Sequence, residues 1–168
     1  MKKKLEEICN RQVEREAYSS NLYLSMASWA ETQGMSGVAD WLYAQAEEER
    51  VHFLKFVKFI NERGGHAVIP ALEKPPVDFK GVTEMFKEVL HHEQFITASI
   101  NDIVTLASAD KDYGLLNWLQ WFVSEQVEEE ASVRAIIDKL KLLGAHNMYL
   151  FDKDILSMRT VGQPAPQV

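Results

Sequence analysis

A single cysteine, Cys9, stands in this chain of 168 residues. An intramolecular disulfide is therefore excluded, and so is a zinc or iron–sulfur site built on several thiolates. A lone cysteine reads as a small hydrophobe. Long apolar runs are also missing, since none approaches the ~18 residues that a membrane-spanning helix needs. The opening "MKKKLEEICNRQ" is basic, but no apolar stretch follows it, so it does not read as a signal peptide. The expectation is a cytoplasmic protein with no membrane partner. Positive charge is scarce and scattered: 18 Lys and Arg stand against 25 Asp and Glu, for a net charge of −7. No basic patch of the kind that grips a nucleic-acid backbone is present. Proline and glycine are few, five and eight.

What remains is long, helix-favouring sequence. Gly34 and Gly37 flank one break. Gly64, Gly65, Pro70, Pro75, Pro76 and Gly81 fill a second, "SADKDYG" marks a third and Gly144 a fourth. The four segments between them are rich in Leu, Glu, Ala, Lys and Met and contain no proline. They predict helices over about 4–33, 38–63, 82–109 and 113–143, with a shorter one at about 147–158. With 46% hydrophobic residues, residues 1–158 are expected to form one domain with a sizeable core. Residues 159–168, ending in "VGQPAPQV", are expected to be a disordered tail.

The connections set the topology. Short turns join the first helix to the second and the third to the fourth, so each pair is an antiparallel hairpin. The link from Gly64 to Gly81 is about 17 residues and reaches ~55 Å when extended. That exceeds the ~40 Å length of a flanking helix. The predicted fold is all-α: a four-helix bundle with one long crossover and a short fifth C-terminal helix.

Bundle helices bury a stripe that advances by threes and fours. On the first helix it runs Leu5, Ile8, Gln12, Glu16, Ser19, Tyr23, Met26, Ala30. On the second it runs Val38, Leu42, Gln45, Glu49, His52, Phe56, Phe59. The third gives Val82, Phe86, Val89, Glu93, Ile96, Ile100, Ile103, Ala107. The fourth gives Leu115, Leu119, Phe122, Gln126, Glu129, Val133, Ile136, Leu140, Leu143. Each stripe is apolar at its ends and polar in the middle. Glu125 and Glu128 flank the fourth stripe, and Glu130 points away from it. The levels agree within each hairpin: positions 16 and 52 average to 34, at the first turn, and 93 and 129 average to 111, at the second.

Any one of these acids, taken alone, reads as a mis-phased surface residue, and His52 alone as a hydrogen-bonded core histidine. Together they are harder to dismiss. An isolated buried carboxylate costs many kcal/mol and prefers to take up a proton. Only Arg15 and Arg50 flank the cluster with positive charge, whereas two divalent cations would balance four carboxylates. Oxygen ligands with one imidazole suit Fe²⁺ or Mn²⁺, and zinc less specifically. Tyr23 and Trp121 read equally well as packing aromatics, and Met26, Met35 and Met85 as core or boundary residues. His91 and His92 are off-stripe and expected at the surface, or else at an entry channel where they would meet metal ions. Glu48, Glu125 and Glu128 read as a solvated rim or as an additional, weaker metal site. Trp29, Trp41 and Tyr43 are expected on outer faces, consistent with contacts between subunits.

The stretches "EREAYSSNLYLSMASW", "AEEERVHF", "HHEQFI" and "LNWLQWFVSEQVEEE" resemble the prokaryotic non-haem ferritins of the ferritin-like di-iron family, over nearly the whole chain. The resemblance implies that Glu16, Glu49 and His52 hold the first iron of a ferroxidase site. Glu49 would bridge to a second iron that Glu93 and Glu129 also bind, with Gln126 in ligand range and Tyr23 nearby. Glu48, Glu125 and Glu128 match a third iron site. Bacterioferritin-type bundles differ: they pair a His with an acid on the fourth helix, where this chain has Gln126 and Glu129. They also place a haem-binding Met after the bridging Glu, where this chain has Arg50, so no haem is expected. One cysteine also excludes the rubredoxin domain of a rubrerythrin.

The function so implied is iron storage. Fe²⁺ would be oxidised by O₂, or H₂O₂, at the dinuclear site and deposited as ferric oxyhydroxide inside a homo-oligomeric shell of 24 subunits, with the fifth helix near the four-fold axes. Two other classes remain open. One is a soluble di-iron oxidoreductase, peroxidase- or oxygenase-like, acting as a dimer. The other is a purely structural bundle that carries no iron.

Overall fold

A computed structural model describes residues 1–144 and 147–159. The expected disordered tail lies, from residue 160 onward, outside the described residues. The helices are α1 (Lys3–Thr32), α2 (Ser36–Glu62), α3 (Val82–Ala109), α4 (Tyr113–Leu143) and α5 (Met148–Asp154), followed by a 3₁₀ turn over Ile155–Met158. The chain divides into two compact units, Met1–Val82 and Thr83–Val168.

In the first unit, α1 and α2 form an antiparallel hairpin. The turn between them is set by backbone geometry. Met35 N–H bonds to Ala30 O and Gly34 N–H to Glu31 O, with Gly34 at φ 74°. This is a Schellman termination, in which a residue in the left-handed region lets the last carbonyls find donors. α2 ends the same way: Gly65 N–H reaches Ile60 O and Gly64 N–H reaches Asn61 O. Leu5, Val13, Met26, Val38, Leu42, Phe56 and Ile60 are fully buried, each worth roughly 1.5–3 kcal/mol of transfer free energy.

The crossover after α2 runs back along α1. Near its start, the Asn10 side chain donates to His66 O (3.0 Å) and accepts from Val68 N–H (2.7 Å). The Met1 ammonium donates to Arg63 O at 2.9 Å. Near its end, Ser25 Oγ donates to Pro76 O, and Phe79 packs edge-on against Trp29, with ring centroids 5.6 Å apart. The link is therefore an ordered strap that finds its backbone partners on α1. The outer-face expectation for the aromatics needs correcting at Trp41, which is 2% exposed and belongs to the core. Trp29 and Tyr43 are half-buried.

In the second unit, α3 ends on a Schellman motif that contains no glycine. Asp112 N–H bonds to Ala107 O, Lys111 N–H bonds to Ser108 O, and Lys111 adopts φ 56°. Asp112 serves both helices, because its carboxylate accepts from Leu115 N–H at 3.0 Å and caps α4. The fifth helix is shorter than expected. It has seven residues before the 3₁₀ turn, a tightening common at helix ends. It is anchored by buried Phe151, which packs edge-on against Phe86 at 6.3 Å.

Candidate metal centre

The first unit brings Glu16, Glu49 and His52 together. Glu16 lies mid-way along α1, and Glu49 and His52 one turn apart on α2. The hairpin sets them at one level, with one donor atom from each within 4.8 Å of the others. All three are buried, at 1%, 2% and 2% exposure. His52 Nδ1 is 3.4 Å from Glu49 Oε2. The opposite oxygen of each carboxylate is held by a glutamine four residues earlier on the same helix. Gln12 Nε2 donates to Glu16 Oε1 at 2.7 Å, and Gln45 Nε2 donates to Glu49 Oε1 at 3.3 Å. Each amide orients a carboxylate without neutralising it.

Glu16 shows what this arrangement costs without a cation. Burial pushes its carboxyl well above the usual 4.5, and the neighbouring Glu49 charge adds to the shift. His52 and the Gln12 amide pull it back only in part. Its Oε2 is buried and receives no hydrogen bond. A buried oxygen without a donor, beside a second carboxylate and an imidazole nitrogen, is chemically suited to a divalent cation of borderline hardness. Tyr23, two turns beyond Glu16, is fully buried on α1.

The second unit brings together Glu93 of α3 and Gln126 of α4. Gln126 Nε2 donates to Glu93 Oε2 (3.2 Å) and to Glu93 O (3.3 Å), and lies 3.4 Å from Thr97 Oγ1. Glu93, Gln126 and Glu129 are 1%, 4% and 6% exposed. Trp121 packs edge-on against Phe122, with centroids 4.8 Å apart.

Three placements differ from the sequence reading. Glu130 does not point into water. Its carboxylate accepts from the Thr97 hydroxyl at 2.7 Å and pairs with Arg134. A helical residue one position past a stripe residue still lies within reach of the adjacent helix when its partner is a short β-branched side chain. Glu125 is buried at 4% rather than forming a solvated rim, while Glu48 and Glu128 are half-buried. Of the two off-stripe histidines, His91 is exposed but His92 is half-buried, its ring 6.2 Å from that of Phe95. Burial, with His91 beside it, lowers the His92 pKa to about 4.

The supporting residues Gln12, Gln45 and Thr97 were not singled out from sequence. The two glutamines carried a legible signal, because Gln-x₃-Glu recurs on α1 and α2 at the i,i+4 spacing at which helical side chains meet. Thr97 carried none, since its partners are non-local.

A family profile described as "Ferritin-like domain" matches residues 6–143. A bacterial non-heme ferritin from Campylobacter jejuni is 41% identical over 157 residues, covering 92% of this chain and 94% of that protein. One from Staphylococcus aureus is 36% identical, covering 92% and 95%. Among solved structures, an open pore ferritin from the hyperthermophilic archaeon Archaeoglobus fulgidus matches with a TM-score of 0.91 at 40% identity. It covers 95% of this chain and 98% of that one. The all-α architecture of four long helices and a short fifth is the fold of these relatives.

Proposed function

The chain belongs to the ferritin family, and from that premise we propose that it stores iron, acting as a ferroxidase that oxidises Fe²⁺ with O₂ and deposits the ferric product as a mineral. The observation that carries this reading is the buried Glu16–Glu49–His52 group, with a Glu16 oxygen that no donor satisfies. The six residues that the resemblance assigns to the dinuclear site fall three on each hairpin: Glu16, Glu49 and His52 on one, and Glu93, Gln126 and Glu129 on the other.

In this reading iron is the substrate and the side chains do two things. The carboxylates stabilise Fe³⁺ more than Fe²⁺, because hard anionic oxygens favour the higher charge. That differential lowers the potential at which the ion gives up its electron. The ligand set is also partly neutral, through His52 and Gln126, so the ferric product is not held as firmly as it would be if those two positions were carboxylates as well. It can leave toward a mineral, and Glu48, Glu125 and Glu128 are a proposed third site for it. Tyr23 is proposed to act beside the oxidation site. We place the protein in the cytoplasm as a shell of 24 copies, and residues 1–158 form its ferritin-like domain.

Stopped-flow absorbance tests the activity. Anaerobic protein loaded with Fe²⁺ is mixed with O₂, and Glu16→Ala or His52→Ala should slow the fast phase by at least tenfold while the particle still assembles. An unchanged fast phase removes the site assignment. Native mass decides between shell and dimer. A shell of 24 chains of 19.2 kDa gives a particle of about 460 kDa, whereas a dimeric di-iron oxidoreductase would be about twice the chain mass.

A further inference from the structure

The Gln126 amide sits in a chain of hydrogen bonds that fixes which of its two ends faces α3. Thr97 Oγ1 donates its one proton to Glu130 Oε1 at 2.7 Å. A carboxylate only accepts, so the direction of that bond is settled. Glu130 is held in turn by Arg134, one helical turn on. With its proton committed, the Thr97 oxygen can only accept from the group on its other side, which is Gln126 Nε2 at 3.4 Å. The amide oxygen facing Thr97 would meet lone pairs. The order is therefore Gln126 N–H to Thr97 O–H to Glu130 carboxylate to Arg134, reaching from buried Gln126 to a half-exposed arginine.

We infer that Thr97, held by Glu130 and Arg134, is a positioning residue that keeps Gln126 Nε2 on the α3 side and so presents its Oε1 as a neutral oxygen ligand to the iron bound by Glu93. This rests on the ferroxidase reading above. In the metal-free protein, Nε2 has three acceptors for two hydrogens: Glu93 O, Glu93 Oε2 and Thr97 Oγ1. Once Glu93 gives its carboxylate to a cation, two acceptors remain. Thr97 is then the one that keeps the second N–H satisfied in a site where Gln126 is only 4% exposed. A buried donor left without an acceptor costs as much as an order of magnitude or more in binding. The effect of losing Thr97 therefore falls on the metal-loaded state rather than on the fold.

The test uses the full assembled protein and Co²⁺, whose visible absorption reports its ligand set without redox chemistry. Titration of the wild type should show two Co²⁺ bound per chain, and Glu93→Ala identifies which event belongs to the Glu93 group. Thr97→Val should weaken that event about tenfold and change its visible bands, while the other event and the thermal midpoint stay within error. Thr97→Ser, which keeps the hydroxyl, should restore wild-type binding. Unchanged affinity and bands in Thr97→Val overturn the inference. So does equal weakening of both events, or a loss that Thr97→Ser shares, because either marks a purely structural role. Wild-type protein that binds no Co²⁺ fails the ferroxidase reading instead, so the two failures are distinguishable.

Discussion

Glu16 and Glu49 lie on opposite helices of one hairpin, both essentially buried, and each receives an amide N–H from a glutamine four residues before it. Two carboxyl groups are thereby held at close quarters by neutral donors, where ionising both is costly. The amides set the direction of each carboxylate and leave the repulsion between them intact. Desolvation first, and that repulsion second, make up the penalty on the ionised pair that a cation would relieve.

The metal-free protein should lose stability as pH rises. The folded-state pKa of Glu16 is raised above its ordinary 4.5, so above that pH the folded chain retains a proton that the unfolded chain has released. The contribution is fully present below about 4.5 and is lost as pH climbs through the raised value. Glu16→Gln removes the charge and keeps the shape. In metal-free protein at neutral pH it should raise stability by about 1–3 kcal/mol, the range for a buried group left unsatisfied, and flatten the pH dependence. Thermal melts between pH 5 and 8 check this. A variant whose midpoint falls in parallel with the wild type would refute it.

The same proton predicts linkage to metal. Binding a divalent cation at Glu16 must displace it, so proton release should accompany binding, and affinity should rise with pH. Calorimetry of Co²⁺ binding in two buffers of different ionisation enthalpy measures the number released. Identical heats in both buffers would exclude displacement.

Gln12 should matter to metal affinity more than to folding. Gln12→Leu leaves Glu16 with neither oxygen oriented by a donor, and losses of outer partners typically cost 10–100-fold in affinity. We expect about tenfold weaker binding at the Glu16–Glu49–His52 group, read by Co²⁺ titration. Gln45→Leu should have a smaller effect, because its bond to Glu49 is longer, 3.3 Å against 2.7 Å.

Asn10 ties the crossover to α1 with two hydrogen bonds to its backbone. Asn10→Ala should cost about 1–3 kcal/mol and raise amide exchange at Val68, whose N–H it holds, with Co²⁺ binding unchanged. Exchange that stays slow there would mean that other contacts hold the strap.

Lys111 closes α3 in the left-handed region, at φ 56°, where a side chain costs roughly 1–2 kcal/mol. Lys111→Gly should therefore stabilise the protein. The gain is expected near 1 kcal/mol after glycine's greater unfolded-state freedom is subtracted. Denaturant melts test the sign.

The helices were legible because their signals are local. The clusters at Gly34, Gly64–Gly65 and "SADKDYG" stand where the chain turns, and the predicted bounds fall within four residues of α1 to α4. The level of the buried acids could also be read, because an antiparallel hairpin with a short turn pairs residues by arithmetic. Glu16 and His52 average to the Gly34 turn, and their donor atoms lie within 4.8 Å. Trp41 and Glu130 were misplaced for one shared reason. Stripe phase decides what faces the neighbouring helix along the axis, but not how far the flanks of that stripe are covered.

In the stretch "SEQVEEE", residues 124–130, composition and periodicity by themselves determined that the helix carries acids in the middle of a buried stripe, with Gln126 and Glu129 facing inward. Only the tertiary structure decided what each flanking residue does. Whether Glu130 meets water or a hydroxyl depends on which residue of α3 stands opposite, 33 positions away in the chain. A helix's period is a property of its own backbone, whereas a side chain's partner is a property of two backbones packed together.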